Sequence, residues 1–459
     1  MARGENRVSM TEGPLLGVLL RVALPITAAN IAQSVHQIVN TYFVGRLGAG
    51  AIAAVAASGP LVGVLVSLGS GLSTAGAVLV AQNSGAGQAR KADHIAAQTL
   101  LMVFCVGIAL AGVGALLASA TLRLIGVEQA VFSLTRQYLS VSYAGLVPMF
   151  SFLAMQAMLQ SAGEVRFAMK VMLGAVALNV ALDPLLIFGV GGWRGWGVPG
   201  AALATVIAQS CAFLTLLYHV TSGRSALHLR VGDFRPDGRH VRLALGIGLP
   251  ASIEQGARTF GSLLLMSLAA LFGTVSLAAY GLGARLVFFW FAPMVGLSIA
   301  TSAVVGQNIG AGQMDRAERA ARVSGWLALL GFTAIGLLHL PLVVPIMRLL
   351  APRAPEVVRE AAVFGHIVFP FMGVLALPQA LAGAFRGAGS TRQSMAISLL
   401  MQYGCQIPFA WGGALIAGMG VTAIWWSYPA ANACACAISI AWLLKGPWRR
   451  NLVKEAAAG

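Results

Sequence analysis

Long apolar runs follow one another along almost the whole chain, and the polar positions between them fall in short clusters. A run of about 20 apolar residues is enough to cross a bilayer as a helix. The pattern predicts twelve membrane-spanning helices, at about 15–44, 51–80, 92–119, 132–160, 164–190, 197–220, 241–272, 276–305, 320–350, 357–385, 393–417 and 420–444. Several exceed the minimum length, and tilt, kinks and extension beyond the lipid absorb the excess. A polar stretch at about 221–240, with Gly223, Gly232, Pro236 and Gly238, divides the spans six and six.

The two sets of six are copies of one unit. Gln82-Asn83-Ser84-Gly85-Ala86-Gly87-Gln88 returns as Gln307-Asn308-Ile309-Gly310-Ala311-Gly312-Gln313, an offset of 225 residues. Leu24-Pro25 returns as Leu249-Pro250 and Asp93 as Glu318 at the same offset, while Ala162-Gly163-x-x-Arg166 returns as Ala388-Gly389-x-x-Arg392 one residue later. Each copy has an even number of spans, so both insert with the same orientation, related by an axis along the membrane normal. Duplicated membrane units of this kind build transporters. The expected fold is all-α and integral to the membrane, twelve helices in two pseudo-symmetric six-helix lobes around a central cleft. Its expected divisions are an N-terminal lobe at 1–222, a cytoplasmic linker at 223–240 and a C-terminal lobe at 241–459.

Composition agrees: 58% of residues are hydrophobic and 10% charged, against about 25% charged in a soluble domain. The net charge of +16 would suggest nucleic acid in a soluble protein. Here the basic residues sit between apolar runs and act as topology signals, so no nucleic-acid partner is expected. With both termini in the cytoplasm, 21 Lys and Arg fall on the cytoplasmic side, including Arg3, Arg7, Arg449, Arg450 and Lys454, against 7 on the other side. That bias predicts a multi-pass protein of the cell membrane, plasma or inner, with both termini cytoplasmic. All five cysteines lie within apolar runs and read as small packing residues, not as a disulfide framework or metal site. Residues 1–13 are polar and the first apolar run is long, so no cleavable signal peptide is expected.

Ionisable groups inside a bilayer cost at least ~2.5–3.5 kcal/mol on insertion scales and mark function. Asp183 stands before Pro184 well inside the fifth span, with Asn179 one turn earlier on the same face. Pro184 leaves the carbonyl of residue 180 without its helical donor. A carboxylate, an amide and a loose carbonyl together suit a proton or a small cation, and apolar surroundings favour the protonated form of a carboxylate. Capping of the half-helix after the proline is the competing, structural reading. Span one offers Gln33, His36, Gln37 and Asn40; His36 is either a titrating group or a histidine satisfied by a neighbouring helix. Thr205 and Gln209 are one turn apart in span six. Glu254 and Arg258 in span seven have the i, i+4 order that lets them neutralise each other, as a structural pair or as part of substrate or proton handling. Arg285 in span eight has no partner in sequence, and Gln379 and Gln402 are weaker cavity candidates. Phe288, Phe289, Trp290 and Phe291 form either a binding wall or ordinary packing.

Ile38-Val39-Asn40-Thr41-Tyr42-Phe43-Val44-Gly45-Arg46-Leu47-Gly48, the duplicated Gln-Asn-x-Gly-Ala-Gly block, Leu178-Asn179-x-x-x-Asp183-Pro184-Leu185 and Phe385-Arg386-Gly387-Ala388-Gly389 resemble the multidrug and toxic compound extrusion (MATE) family, closest to its DinF-like branch. The resemblance covers nearly the whole chain. It implies secondary active export of organic compounds, cationic or amphiphilic, in exchange for protons or sodium by alternating access. It maps the coupling-ion cluster onto Asn40, Asn179, Asp183 and Thr205, and the bending point of the first helix onto Pro25. Glu254 falls near an acidic position that some members use in the second lobe. One departure stands out: the family motif in span one reads Val-Asp-Thr where this chain has Val39-Asn40-Thr41. Two facing carboxylates help each other to capture a proton. Without the second, Asp183 relies on desolvation, or His36 supplies the other titrating group, or one carboxylate with neutral oxygens holds sodium.

The expectations are therefore an antiporter and no enzyme, with no cofactor beyond the coupling ion. Partners are a small organic substrate and membrane lipid, and the chain is taken as a monomer. Ion coupling falls to Asp183, Asn179, Asn40, Thr205 and His36, with a hinge at Pro25. The substrate cleft takes Gln33, Gln37, Gln209, Glu254 and Arg258. A lipid-linked or metabolite cargo is the alternative, favoured by the in-span cations Arg258 and Arg285. Intramembrane aspartyl chemistry needs two facing carboxylates, and Gly85-Ala86-Gly87 lacks the Lys-Ser/Thr ending of a nucleotide-binding loop.

Overall fold

The computed structural model describes residues 8–446, 448 and 452. The terminal residues Arg3, Arg7, Arg449, Arg450 and Lys454 counted above lie outside the described residues. The first copy comprises α1 (Leu15–Gly45), α2 (Ala49–Gly85), α3 (Ala89–Leu124), α4 (Gln129–Ala144), α5 (Leu146–Ser161), α6 (Val165–Phe188) and α7 (Val198–Thr221). The second comprises α8 (Gly238–Ala270), α9 (Thr274–Gly310), α10 (Met314–His339), α11 (Val343–Leu350), α12 (Pro355–Val368), α13 (Met372–Gly387), α14 (Thr391–Leu399), α15 (Ile407–Trp411) and α16 (Thr422–Lys445).

These helices make up the twelve spans. Among the described residues, nine helical segments are long and apolar enough to cross a membrane, and α4 with α5, bent by 47°, makes a tenth. Helix α8 is less apolar than these because Glu254, Gln255 and Arg258 interrupt it. The run from 391 to 416 falls short because π-helical turns at Leu400–Gln406 and Gly412–Ile416 divide it. The bend at Gly145 has its counterpart in the Phe369–Phe371 turn between α12 and α13.

The joints repeat as well. After α2, Gln88 N–H donates to the Asn83 carbonyl (2.9 Å) and Ala86 N–H to that of Gln82 (3.0 Å). After α9, Gln313 donates to Asn308 (2.8 Å) and Ala311 to Gln307 (2.9 Å). Gly87 and Gly312 close these caps at φ of +71° and +76°, a conformation glycine takes without strain. Between α6 and α7, β1 (Gly189–Val190) and β2 (Trp193–Arg194) form a small antiparallel hairpin, Gly189 opposite Arg194. Its Gly191-Gly192 turn is a hairpin signal that span-finding passes over.

Packing divides the chain into two units, and not at the expected boundaries of 222 and 241. One is built on Ala28–Ile253, the other on Thr11–Thr27 with Glu254 onward. The first half of α1 thus packs with the second copy's helices, and the start of α8 with the first copy's. Close glycine contacts explain the exchange. In the second unit, a Cβ on Gly296 of α9 would stand 2.4 Å from Thr27 Oγ1. In the first, a Cβ on Gly71 of α2 would stand 2.0 Å from Ser252 Oγ and 2.3 Å from the Gly248 carbonyl oxygen. Residues 71 and 296, like 27 and 252, are 225 apart, so the two crossings are one contact used twice. The linker belongs to the first unit. Gln98 on α3 donates to the carbonyls of Asp233 and Arg235 (2.6 Å each) and accepts from Asp237 N–H (3.0 Å). Asp93 accepts from His228 N–H (2.8 Å), and Glu164 from Ser225 Oγ (2.9 Å).

Candidate functional site

In the first unit, α6 carries Asn179 and Asp183 on one face, α1 brings His36 and Asn40, and α7 brings Thr205. Asp183 is 0% exposed. Asn40 Nδ2 donates to Asp183 Oδ2 at 3.4 Å. The Asn179 amide is assigned from its hydrogen-bond network: Nδ2 donates to Asp183 Oδ1 (3.1 Å) and His36 Nε2 (2.9 Å), and Oδ1 accepts from Thr205 Oγ1 (3.1 Å) and N–H (3.2 Å). His36 Nε2 also lies 3.9 Å from Asp183 Oδ2. Because Nε2 accepts, the imidazole is the neutral tautomer protonated on Nδ1, and Nδ1 is buried without a partner among the described residues. No Lys or Arg pairs with Asp183 among the described residues. Amide N–H groups therefore face both oxygens of a buried carboxylate, with one neutral titratable ring beside it.

The five residues expected at the ion site are thus brought together. The cleft candidates from the same unit are not part of the cluster. Gln33 and Gln209 are half-buried and Gln37 is exposed, and no hydrogen bond joins their side chains to it among the described residues. Pro25 sits inside an unbroken α1, two residues before the point where that helix passes from one unit to the other.

In the second unit, Glu254 is 2% exposed and meets four donors. Its Oε1 accepts from Arg258 Nη2 (2.7 Å), Arg386 Nη1 (3.0 Å) and Ser398 Oγ (3.3 Å), and its Oε2 from Ser394 Oγ (2.7 Å). Arg258 Nη1 donates to Gln379 Oε1 (2.7 Å) and Arg386 Nη2 to Ser298 Oγ (2.8 Å). The sequence pair Glu254–Arg258 is real, but it is half of a larger buried network. Sequence reasoning missed Arg386, which stands in a Phe-Arg-Gly block and was counted with the cytoplasmic loop; it ends α13 and turns inward. Tyr138 was missed too. It packs on the apolar cluster of Val44, Ala51, Ile187, Val198 and Ala201 near the Asp183 site.

The same unit holds a cavity of about 570 Å³. Arg258 and Arg285 line it, Glu254 does not, and no Asp or Glu is among the lining residues. Phe288 and Phe291, offered above as a binding wall, do line it, with Tyr280 and Tyr428. Gln402 and Gln406 reach it from the π-helical turn.

The internal repeat and the fold find their match in known proteins. The MatE family model matches residues 25–185 and again 250–411, starting at Pro25 and at its copy Pro250. The chain belongs to the MatE family. MatE proteins are transporters, so the chain is a multi-pass membrane transporter and not an enzyme. It is 28% identical over 418 residues to the probable multidrug resistance protein YoeA of Bacillus subtilis, covering 89% of each chain. It is 26% identical over 325 residues to a protein of Shewanella oneidensis named FAD transporter, covering 70% of this chain and 71% of that one. The fold is that of a crystal structure of a MATE protein in complex with MaL6, with a TM-score of 0.91 at 21% identity, covering 96% of this chain and 98% of that one.

Proposed function

We propose that this MatE protein is a secondary active antiporter. It exports small organic compounds across the cell membrane in exchange for a proton bound at Asp183, by alternating access, with both termini in the cytoplasm. The observation that carries the reading is a fully buried carboxylate in a membrane helix with no cationic partner among the described residues. Such a group is expensive to keep, and its neutral amide surroundings suit a site that must be both charged and neutral within one cycle. The proton is favoured over sodium by the groups that face Asp183. They are amide N–H donors from Asn40 and Asn179, whereas sodium needs converging oxygens. His36 supplies a second titratable group in place of the span-one carboxylate. Pro25 lets α1 bend as the site changes its occupancy, and relatives named probable multidrug resistance proteins support export as the direction.

Dye uptake into inverted membrane vesicles tests the driving ion. A pH gradient alone is expected to drive uptake and a sodium gradient alone is not. Uptake driven by sodium alone overturns the proton assignment.

A second reading is export of a metabolite. It is favoured by the guanidinium groups of Arg258 and Arg285 on the cavity wall, and one relative carries the name FAD transporter.

A further inference from the structure

We infer that the cavity of the second unit is a binding site for amphipathic organic anions, with Arg285 as the counter-charge. The inference deepens the transporter reading and rests on it, since it names the class of cargo. Arg285 lies eleven residues past the start of the 37-residue helix α9, about 17 Å along its axis, at membrane depth. A cation held there without a carboxylate is a functional-site signal. Among the described residues no salt bridge or hydrogen bond neutralises Arg285.

The surroundings carry the same sign. Behind the wall, one carboxylate, Glu254, is shared by Arg258 and Arg386. Arg258 lines the cavity while its buried Nε has no partner among the described residues. A cationic ligand entering this space would meet two guanidinium groups and no acid. An anion would find charge-assisted donors and the amides of Gln255, Gln402, Gln406 and Asn432.

Size and apolar lining set the other half of the chemistry. A cavity of about 570 Å³ falls in the range of drug-sized ligands. Phe288, Phe291, Tyr280 and Tyr428 offer ring faces to a flat hydrophobic body, and Arg258 itself stands 5.9 Å from the Phe291 ring centre. The helix opposite departs from α-geometry at Leu400–Gln406, and π-turns of this kind frequently mark functional sites. Gln402 packs so closely on Gly261 that a Cβ there would lie 2.3 Å from its Nε2, which fixes the amide against α8 at the cavity edge.

A lipid headgroup with its chains and a soluble aromatic carboxylate or sulfonate share this chemistry, and the test separates them. Fluorescein and rhodamine 123 have the same xanthene frame and opposite charge. Their binding to the purified full chain in phosphatidylcholine nanodiscs is read by fluorescence polarisation. Fluorescein is expected to bind about tenfold tighter than rhodamine 123, and Arg285→Gln to lose about tenfold of fluorescein affinity only, the scale of one charged hydrogen bond. Arg285→Lys keeps the charge and is expected to retain most of the affinity. Adding phosphatidylglycerol to the discs assigns the source: displaced dye means a lipid anion, retained dye a soluble one. Rhodamine 123 binding as tightly as fluorescein in the wild type, or fluorescein binding that ignores Arg285→Gln, overturns the inference. Binding is measured without transport, so its failure leaves the antiport reading standing, and a failure of vesicle uptake leaves this site standing.

Discussion

Asn40 Nδ2 lies 3.4 Å from Asp183 Oδ2, so α1 offers the α6 carboxylate a neutral donor. That amide meets an oxygen of a carboxylate that is shut away from water. Asn40→Leu leaves a buried carboxylate oxygen unmet, a penalty of about 1–3 kcal/mol. Efflux is expected to fall about tenfold or more at equal protein level, measured as dye retention in cells lacking their own exporters. Unchanged retention would remove Asn40 from the site.

The twin glycine crossings reverse an ordinary rule. Gly→Ala inside a helix normally stabilises by about 1 kcal/mol. At Gly296 and Gly71 the added methyl would meet Thr27 and Ser252, and overpacking costs about 1–3 kcal/mol. Both substitutions are expected to lower the melting temperature of the purified protein. Gly59→Ala, where nothing lies within 4 Å, serves as the control and is expected to leave it unchanged or raise it. Equal melting of all three variants would contradict the packing account of how α1 and α8 are held.

Two buried acids should answer differently to the same substitution. Removing the charge of Glu254 leaves Arg258 and Arg386 without their carboxylate, and breaking a buried ion pair costs about 3–5 kcal/mol. Glu254→Gln is expected to lower thermal stability sharply, whereas Asp183→Asn, which strands no cation, keeps it. Thermal unfolding of the two variants side by side checks this; a stable Glu254→Gln protein would show that the network is not structural.

The linker has its own pH dependence. His240 lies in the first turn of α8, ahead of the apolar run of the seventh span, 3.4 Å by its Nε2 from Thr99 Oγ1. Burial pushes its pKa down to about 4, partly offset by Asp237 and reinforced by His94. A released linker binds that proton near the ordinary value of about 6.5. The docked form therefore loses stability as pH falls from about 6.5 towards 4, by about 1.4 kcal/mol per unit. Burial raises Asp237, but the Arg239 and His240 N–H groups and His94 outweigh it and hold the carboxyl below its usual range, so Asp237 stays charged through that window. Amide hydrogen exchange over 226–237, corrected for intrinsic rates, is expected to speed up from pH 7 to pH 5 in the wild type and not in His240→Leu. Identical protection at both pH values would exclude His240 as the cause.

Much of this was legible in the chain because membrane helices leave a strong signal. Twelve apolar runs and a 225-residue repeat announce the spans and their pairing, and Asp183 with Asn179 and Pro184 stood out because charge in lipid is costly. What stayed hidden depends on partners far apart in sequence. Arg386 reads as a loop cation until α13 carries it to Glu254, 132 positions away. Arg285 reads as an unpaired charge, and only the fold puts it on a cavity without acids. The exchange of α1 and α8 between units was unreadable, since small residues such as Gly71 and Gly296 announce close packing but not with whom. The π-turns at 400–416 have no periodic signature in an apolar run.

The role of Asp183 is tested most directly by dye efflux from exporter-deficient cells carrying wild type or Asp183→Asn at matched expression, with melting temperature measured on the same proteins. Lost efflux with an unchanged melting temperature is the expected result, for a carboxylate that carries the ion and holds nothing together. Full efflux in Asp183→Asn would contradict the assignment of coupling to this site.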